Sequence, residues 1–362
     1  MEWIECTLGD ILTFQRGHDL PKSQMMNGDI PVVGSNGIIG YHNAFTTAAP
    51  SITIGRSGNV GNPFIVYGKT WSHNTTLYIK EFKNSDPVFV YYFLKTLDLA
   101  NYAGGSAVPT LNRNHIHSLP IRVPKEKADQ HSIGLILKLL DDKITCNKEI
   151  NDNLQQQAQA LFSSLYANAI DEVNFTSFVQ VLGGGTPKTG EPSYWNGKVP
   201  FFTPKDVGTP YTLTTEKYIT DAGLARCNSR LYPVNTVFVT ARGTVGKVGL
   251  PGVPMAMNQS CYALSSDKVD PLLVYFYALE IIHALKHKAS GAVFDAITTR
   301  DFDTETVMRL APEDEQKFIS AAKPIYEMIL QNTIENDRLA ALRDNLLPRL
   351  MSGEIEVSDV DI

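Results

Sequence analysis

From Ile133 onward, apolar side chains recur at positions 137, 140, 144, 154, 158, 161 and 165, in steps of four and three. That spacing predicts a long helix with a coiled-coil seam, because such steps keep one stripe facing a partner. The seam holds Leu137, Leu140, Ile144, Leu154 and Leu161, with Asn147 and Asn151 at two positions between them. A polar seam residue lowers stability but fixes register and partner, which suits a helix that must pair with one specific other helix. The stretch from Gln316 to Leu350 supplies that partner, with Ile329, Asn336, Leu339 and Leu346 on its facing side. Pro324 falls early in it, where a missing N–H is tolerated within the first two turns. About forty residues at 1.5 Å each extend roughly 60 Å.

Elsewhere the pattern is short-range. Runs such as "SITIG", "PFIVYG", "TVFVT" and "LPIRVP", bounded by Gly, Pro and Thr, predict brief strands and turns. One helix follows each Asp-Pro, at "DPVFVYYFLKTLDLA" and "DPLLVYFYALEIIHALKHKA", where the aspartate caps and the proline suits the first turn.

These elements come in two sets. "SITIGRSGNVG" (51–61) finds a counterpart in "TVFVTARGTVG" (236–246), setting Gly58 against Gly243 and Gly61 against Gly246. "NTTLYI" from Asn74 faces "NQSCYAL" from Asn258, and the two Asp-Pro helices face each other. "GGSAVPTLNRNHI" (104–116) faces "ASGAVFDAITTRDF" (289–302), and the two long helices close each half. The expected organisation is two mixed α/β (α+β) domains in an internal pseudo-two-fold repeat, joined by two long antiparallel coiled-coil helices. The boundaries are 1–124, 125–168 for the central helix, 169–311, 312–352 for the second helix, and an acidic tail at 353–362.

Charge alters the picture only when it is divided. The chain carries -6 overall, but residues 312–362 hold five basic against eleven acidic side chains, which accounts for the whole surplus. Residues 1–124 (nine against eight) and 169–311 (thirteen against thirteen) are near neutral, leaving both domains free to gather cations on one face. No run of eighteen apolar residues suggests a membrane span, and "MEWIECTLGD" lacks the basic and apolar parts of a secretory leader. A cytoplasmic protein is expected. Cys6, Cys146, Cys227 and Cys261 are too scattered for a disulfide framework or a zinc site and are expected as reduced, buried thiols.

The glycine stretches resemble phosphate loops only superficially. "GRSGNVG" lacks the Gly-Lys-Ser/Thr ending, and "GGGTPKTG" (183–190) places proline where that loop needs N–H donors. Both are expected as tight turns whose glycines supply positive φ. On "GRSGNVG" and on its counterpart turn "ARGTVGK" (241–247), the side chains Arg56, Ser57, Asn59, Arg242, Thr244 and Lys247 are of the kinds that reach phosphates and base edges. "NPF" (62–64) lacks the second proline of an adenine methyltransferase motif, and "EFK" (81–83) has no upstream partner for a nuclease site. His42, His73, His115 and His117 lack metal-ligand spacing and are expected as hydrogen-bonded loop histidines. No catalytic constellation emerges.

The stretch "GGTPKTGEPSYWNGKVPFFTPKDV" (184–207) resembles the opening of a target-recognition domain in specificity subunits of type I restriction-modification systems. "GDIPVVGSNGIIGYHN" (28–43), "TIGRSGNVG" (53–61) and "WSHNTTLYI" (71–79) resemble another version of that domain, and "LLPRLMSGEI" (346–355) resembles the end of the family's second helical region. The resemblance implies a non-catalytic reader of double-stranded DNA. It would hold two adenine-N6 methyltransferase subunits and join motor-nuclease subunits, with S-adenosylmethionine, ATP and Mg on those partners and no cofactor in this chain. Each domain would read one half of a gapped site while the helices set the gap. Carried onto this sequence, the DNA contacts fall on Lys22, Arg56, Lys69, Asn74 and Arg113 in the first domain, where His73 is a further candidate. In the second they fall on Thr186, Lys188, Lys205, Arg242, Lys247, Asn258 and Arg300. Two alternatives stay open: an interaction scaffold that does not read DNA, and a fragment of a modification enzyme.

Overall fold

The computed structural model describes residues 1–105, 109–288 and 296–360. Parts of the repeated segments 104–116 and 289–302, and the last two residues of the tail, lie outside the described residues. The chain divides into two compact units, Met1–Ile144 with Arg338–Ile362, and Thr145–Asp337. Each unit therefore takes part of both long helices.

In the first unit, strands β1 (Thr13–Arg16), β2 (Ser51–Gly55), β3 (Pro63–Val66) and β4 (Thr76–Glu81) form an antiparallel sheet in the order β1-β4-β2-β3. In the second, β5 (Gln180–Gly183), β6 (Val237–Thr240), β7 (Val248–Pro251) and β8 (Cys261–Ser265) repeat it as β5-β8-β6-β7. A short strand, Tyr211–Thr212, adds in parallel to the open edge of β7 and has no counterpart in the first sheet.

A three-stranded sheet repeats as well. Ile30–Gly34 pairs antiparallel with Gly37–His42 and parallel with Trp71–Ser72, while Trp195–Phe202 pairs antiparallel with Lys217–Ile219 and parallel with Ala256–Met257. A two-stranded ribbon ties the start of each repeat to its end, Trp3–Thr7 with Pro120–Pro124 and Asp171–Asn174 with Thr306–Arg309.

The helix after each Asp-Pro seals one face of its sheet. Asp86 accepts from the Val88 and Phe89 N–H groups at 2.9 Å, and Asp270 from Leu272 at 2.9 Å, with Pro87 and Pro271 opening the helices. The first ends at Thr96, short of the predicted stretch, and the second runs to Lys288. Phe89, Val90 and Phe93 bury against Phe14, Ile52, Ile54 and Leu77 in one core, and Phe276, Tyr277 and Ile281 against Val237, Val239 and Leu264 in the other.

The long helices span Lys127–Tyr166 and Pro312–Ser352, each longer than its apolar pattern alone defines. The second begins early enough that Pro324 sits in its fourth turn and not in the first two, so the Ser320 carbonyl loses its usual N–H donor. Within the first unit, Ile133, Leu137, Leu140 and Ile144 lie on the first helix and Leu346, Leu350 and Met351 on the second, all buried; Leu339 packs half-buried. Within the second unit, Ala158, Phe162 and Leu165 pack with Phe318, Ala322, Tyr326 and Ile329. Phe162 is fully buried and Leu161 only half-buried, so the seam moves one residue from its predicted path. A straight helix drifts against a strict heptad, and a step of four from Ala158 brings the larger ring inward.

Asn147 and Asn151 are buried, and both are satisfied across the pair. Asn147 Nδ2 donates to Asn336 Oδ1 at 3.0 Å and to Glu335 Oε2 at 2.6 Å. Asn332 Nδ2 donates to Asn151 Oδ1 at 2.8 Å, and Asn151 Nδ2 reaches the Ile329 carbonyl at 3.4 Å. The crossed order of these numbers makes the helices antiparallel there. After the second helix the chain turns at Gly353 (φ +77°), and Ile355, Val357 and Val360 pack against the first unit's core. The thiols depart from expectation: Cys146 is exposed, Cys6 and Cys227 are half-exposed, and only Cys261 is buried, its pKa pushed up to about 12 by desolvation.

Candidate nucleic-acid interface

The glycine turns at 55–61 and 240–246 cross between antiparallel strands, and their glycines carry the positive φ such a turn needs: +84° and +80° at Gly58 and Gly61, +80° and +72° at Gly243 and Gly246. The stretch 183–190 is no such turn: Gly183 ends β5, and Gly183, Gly184, Gly185 and Gly190 all lie outside the positive-φ region. The closing bond repeats to the residue, Gly61 N to Gly55 O at 2.8 Å and Gly246 N to Thr240 O at 2.8 Å. Each turn also hangs from a second segment. Arg56 and Ser57 N–H groups donate to Thr75 O at 2.8 and 3.2 Å, as Ala241 and Arg242 do to Ser260 O at 2.8 and 3.3 Å. A third segment joins where Leu111 N meets Arg56 O at 2.9 Å and Ile297 N meets Ala241 O at 2.9 Å.

These bonds fix which residues correspond. Arg56 matches Ala241, and Ser57 matches Arg242, so the two arginines occupy neighbouring places and not the same one. Arg56 is half-buried, its Nη1 3.5 Å from the Asn74 carbonyl, whereas Arg242 is exposed. Asn258 also shifts partner. Cys261 N bonds Asn258 O at 3.3 Å as Thr76 N bonds His73 O at 2.9 Å, so Asn258 corresponds to His73, one residue from the Asn74 that the sequence sets opposite it.

In the first unit the turn thus gathers Arg56, Ser57, Asn59, His73, Asn74 and, through the Leu111 bond and the Asn112 cap, Arg113 at the start of a short helix. Asn59 accepts from Asn62, and His73 Nδ1 lies 3.1 Å from Thr75 Oγ1. The Lys69 ammonium lies 4.4 Å over the Phe45 ring, and Lys22 opens a helical turn, Lys22–Gln24. In the second unit a cleft of about 330 Å³ brings together Lys205, Arg242 and Asn258 with Glu216, Lys217 and Ser260. Thr244 Oγ1 donates to the Pro204 carbonyl at 3.0 Å and steadies one wall. Lys205 and Glu216 form an exposed ion pair at 3.8 Å, too solvated to hold either firmly. Thr186 donates to Gln259, the Lys188 carbonyl accepts from Trp195 Nε1 at 3.3 Å, Lys247 is exposed beside its turn, and Arg300 sits in the first turn of Thr299–Thr304. Sequence reasoning did not single out Lys217 of that cleft, nor Asp19 and Gln259, which accept from Asn74 and Thr186. Lys217 lies on a strand far along the chain from the turn and meets Arg242 only through the fold.

Three of the histidines expected in loops stand in regular elements, His42 in the strand Gly37–His42 and His115 and His117 in the short helix Arg113–His117. His42 Nδ1 accepts from Met26 N at 3.0 Å, and His117 Nε2 accepts from Phe14 N at 2.9 Å. Burial first, and then the nearby Arg113 and Lys83 cations, push the His117 pKa below its ordinary value. Among the described residues, no group of three or more His, Cys, Asp or Glu is placed to hold a metal ion, and no helix is long and apolar enough to cross a membrane.

A family model described as the type I restriction modification DNA specificity domain matches residues 1–156 and again 170–342. The chain is 26% identical over 166 residues to the type I restriction enzyme MjaIX specificity subunit of Methanocaldococcus jannaschii, a match covering 44% of this chain and 38% of that one. It is 22% identical over 360 residues to the HindI specificity subunit of Haemophilus influenzae, covering 74% and 77%. Its fold is that of the type I restriction-modification S subunit from M. genitalium, with a TM-score of 0.70 at 14% identity over 97% of this chain and 96% of that one.

Proposed function

The chain belongs to the type I restriction modification DNA specificity family, carrying its domain twice, and from that premise we propose that it is the sequence-reading subunit of a type I restriction-modification complex. Each domain reads one half of a two-part DNA site, and the paired helices set the gap and dock two adenine-N6 methyltransferase subunits. Methyl transfer from S-adenosylmethionine, and cutting driven by ATP with Mg, belong to the partner subunits.

One observation carries this reading. The two domains share strand order, turn bonds and ribbon closure, yet the side chains on that common skeleton differ. A skeleton repeated for stability alone gives no reason for unlike polar groups at its loop tips. Two unlike half-sites do, since base edges are told apart by donors and acceptors, each good pair discriminating by about 1–3 kcal/mol. The near-neutral domains fit as well, with much of the phosphate charge met by the partners.

The test is a single-molecule map of N6-methyladenine in DNA from cells co-expressing this protein and an adenine methyltransferase subunit of the same system. One gapped, two-part motif, present only when this protein is present, is expected. Methylation that Arg56→Ala and Arg242→Ala leave unchanged, in a complex shown to form, would favour a scaffold that does not read DNA.

A further inference from the structure

The opening loops of the two domains share a hidden correspondence. Gly17 N donates to Thr76 O at 3.0 Å, and Gly184 N to Cys261 O at 3.4 Å. A Cβ on Gly17 would lie 2.0 Å from the His73 carbonyl oxygen, and one on Gly184 would lie 2.0 Å from that of Asn258. His18 N then meets Ser72 O at 2.8 Å as Gly185 N meets Met257 O at 3.1 Å. The loop is pressed against its neighbour at the same place in both units, so Asp19 corresponds to Thr186 and Asn74 to Gln259. At that place each domain makes one side-chain bond between the two segments: Asn74 Nδ2 donates to Asp19 Oδ1, and Thr186 Oγ1 donates to Gln259 Oε1.

We infer that Asp19–Asn74 and Thr186–Gln259 are equivalent base-reading pairs, one for each half-site, an inference that rests on the DNA-reading function proposed above. Position supports it. Asn74 and Gln259 immediately precede Thr75 and Ser260, whose carbonyls hold the two glycine turns, so each pair adjoins the turn's polar side chains. Chemistry sets the reading. A carboxylate only accepts, so Asn74 must turn its nitrogen toward Asp19, and the pair offers the amide oxygen and a carboxylate that is largely exposed. Arg16, 3.8 Å from Asp19, is a loose ion-pair partner and leaves that edge open. Such an edge suits an exposed amino group, as on N4 of cytosine in the major groove. The second pair carries no charge. The Thr186 hydroxyl fixes the Gln259 amide, leaving its N–H donors and a lone pair on Oε1 for N7 and the N6 amino group of adenine.

The experiment is the same methylation map run on complexes of the full chain carrying Asp19→Asn or Gln259→Glu, with thermal unfolding of each variant beside it. Asp19→Asn is expected to relax a cytosine preference by about 10- to 100-fold at one position of one half-site, leaving the other half and the gap unchanged. Gln259→Glu is expected to relax an adenine preference by a similar factor, at one position of the other half-site. Variants that methylate the unaltered motif at the unaltered rate overturn the inference. So does an equal loss at every sequence without a change of base, because the pair would then only brace its loop. If the unsubstituted protein directs no two-part motif, the DNA-reading proposal itself fails, an outcome separate from variants that keep the motif.

Discussion

At the scale of single residues, His117 shows how a side chain can finish a backbone ladder. The register between β1 and β4 slips between Thr13 and Phe14, and the Phe14 N–H donates to His117 Nε2 while the Phe14 ring is fully buried. That nitrogen can accept only when it carries no proton, and burial together with Arg113 and Lys83 holds the folded pKa below the ordinary value. The sign follows. Below the unfolded pKa of about 6.5 the unfolded chain takes up the proton first. The contribution to stability is thus fully present above that pH and lost as pH falls through the folded pKa. His117→Ala strands the Phe14 N–H and should cost about 1–3 kcal/mol at pH 7.5. In urea unfolding from pH 8 to pH 5, the gap between the natural protein and the variant should shrink below pH 6.5. A gap that does not vary with pH would refute this account of the bond.

At the scale of elements, the asparagine layer is where stability and specificity oppose each other. Asn332 donates to the buried Asn151 across the helices, so removing Asn332 leaves a buried amide oxygen short of a bond, whereas removing both does not. Asn332→Leu alone should destabilise by about 1–3 kcal/mol, and Asn332→Leu with Asn151→Leu should recover most of that loss. A double-mutant cycle by denaturant unfolding measures the difference, and losses that simply add would refute the pairing. This layer was legible in the sequence because two asparagines interrupt an otherwise apolar stripe. So were the glycine turns and Asp-Pro helices, where residue type dictates backbone geometry. The move from Leu161 to Phe162 was not, since both are apolar and only the true helical pitch decides between them. The correspondence of Asp19 with Thr186 escaped for another reason. Leu20 adds a residue before Pro21, and the shared skeleton is written in hydrogen bonds between main-chain atoms, which place no demand on the side chains at 19, 74, 186 and 259.

At the scale of the whole molecule, charge separates this chain from a DNA binder that works alone. Its two domains are near neutral and its acidic surplus lies in the last fifty or so residues, part of which packs on the first unit's core. Affinity from phosphate contacts rises with the number of counterions released, with a slope of about -0.9 per phosphate in log K against log salt. A chain whose domains match their cations with nearly as many anions releases few counterions by itself. The isolated protein should therefore bind duplex DNA weakly, with a shallow slope of about -2 to -4 between 50 and 200 mM salt. The proposed complex with methyltransferase subunits should show a markedly steeper one, and fluorescence anisotropy with one labelled duplex measures both. A steep slope for the isolated chain would place the phosphate contacts on its own surface, and the partners would then add catalysis without adding much grip.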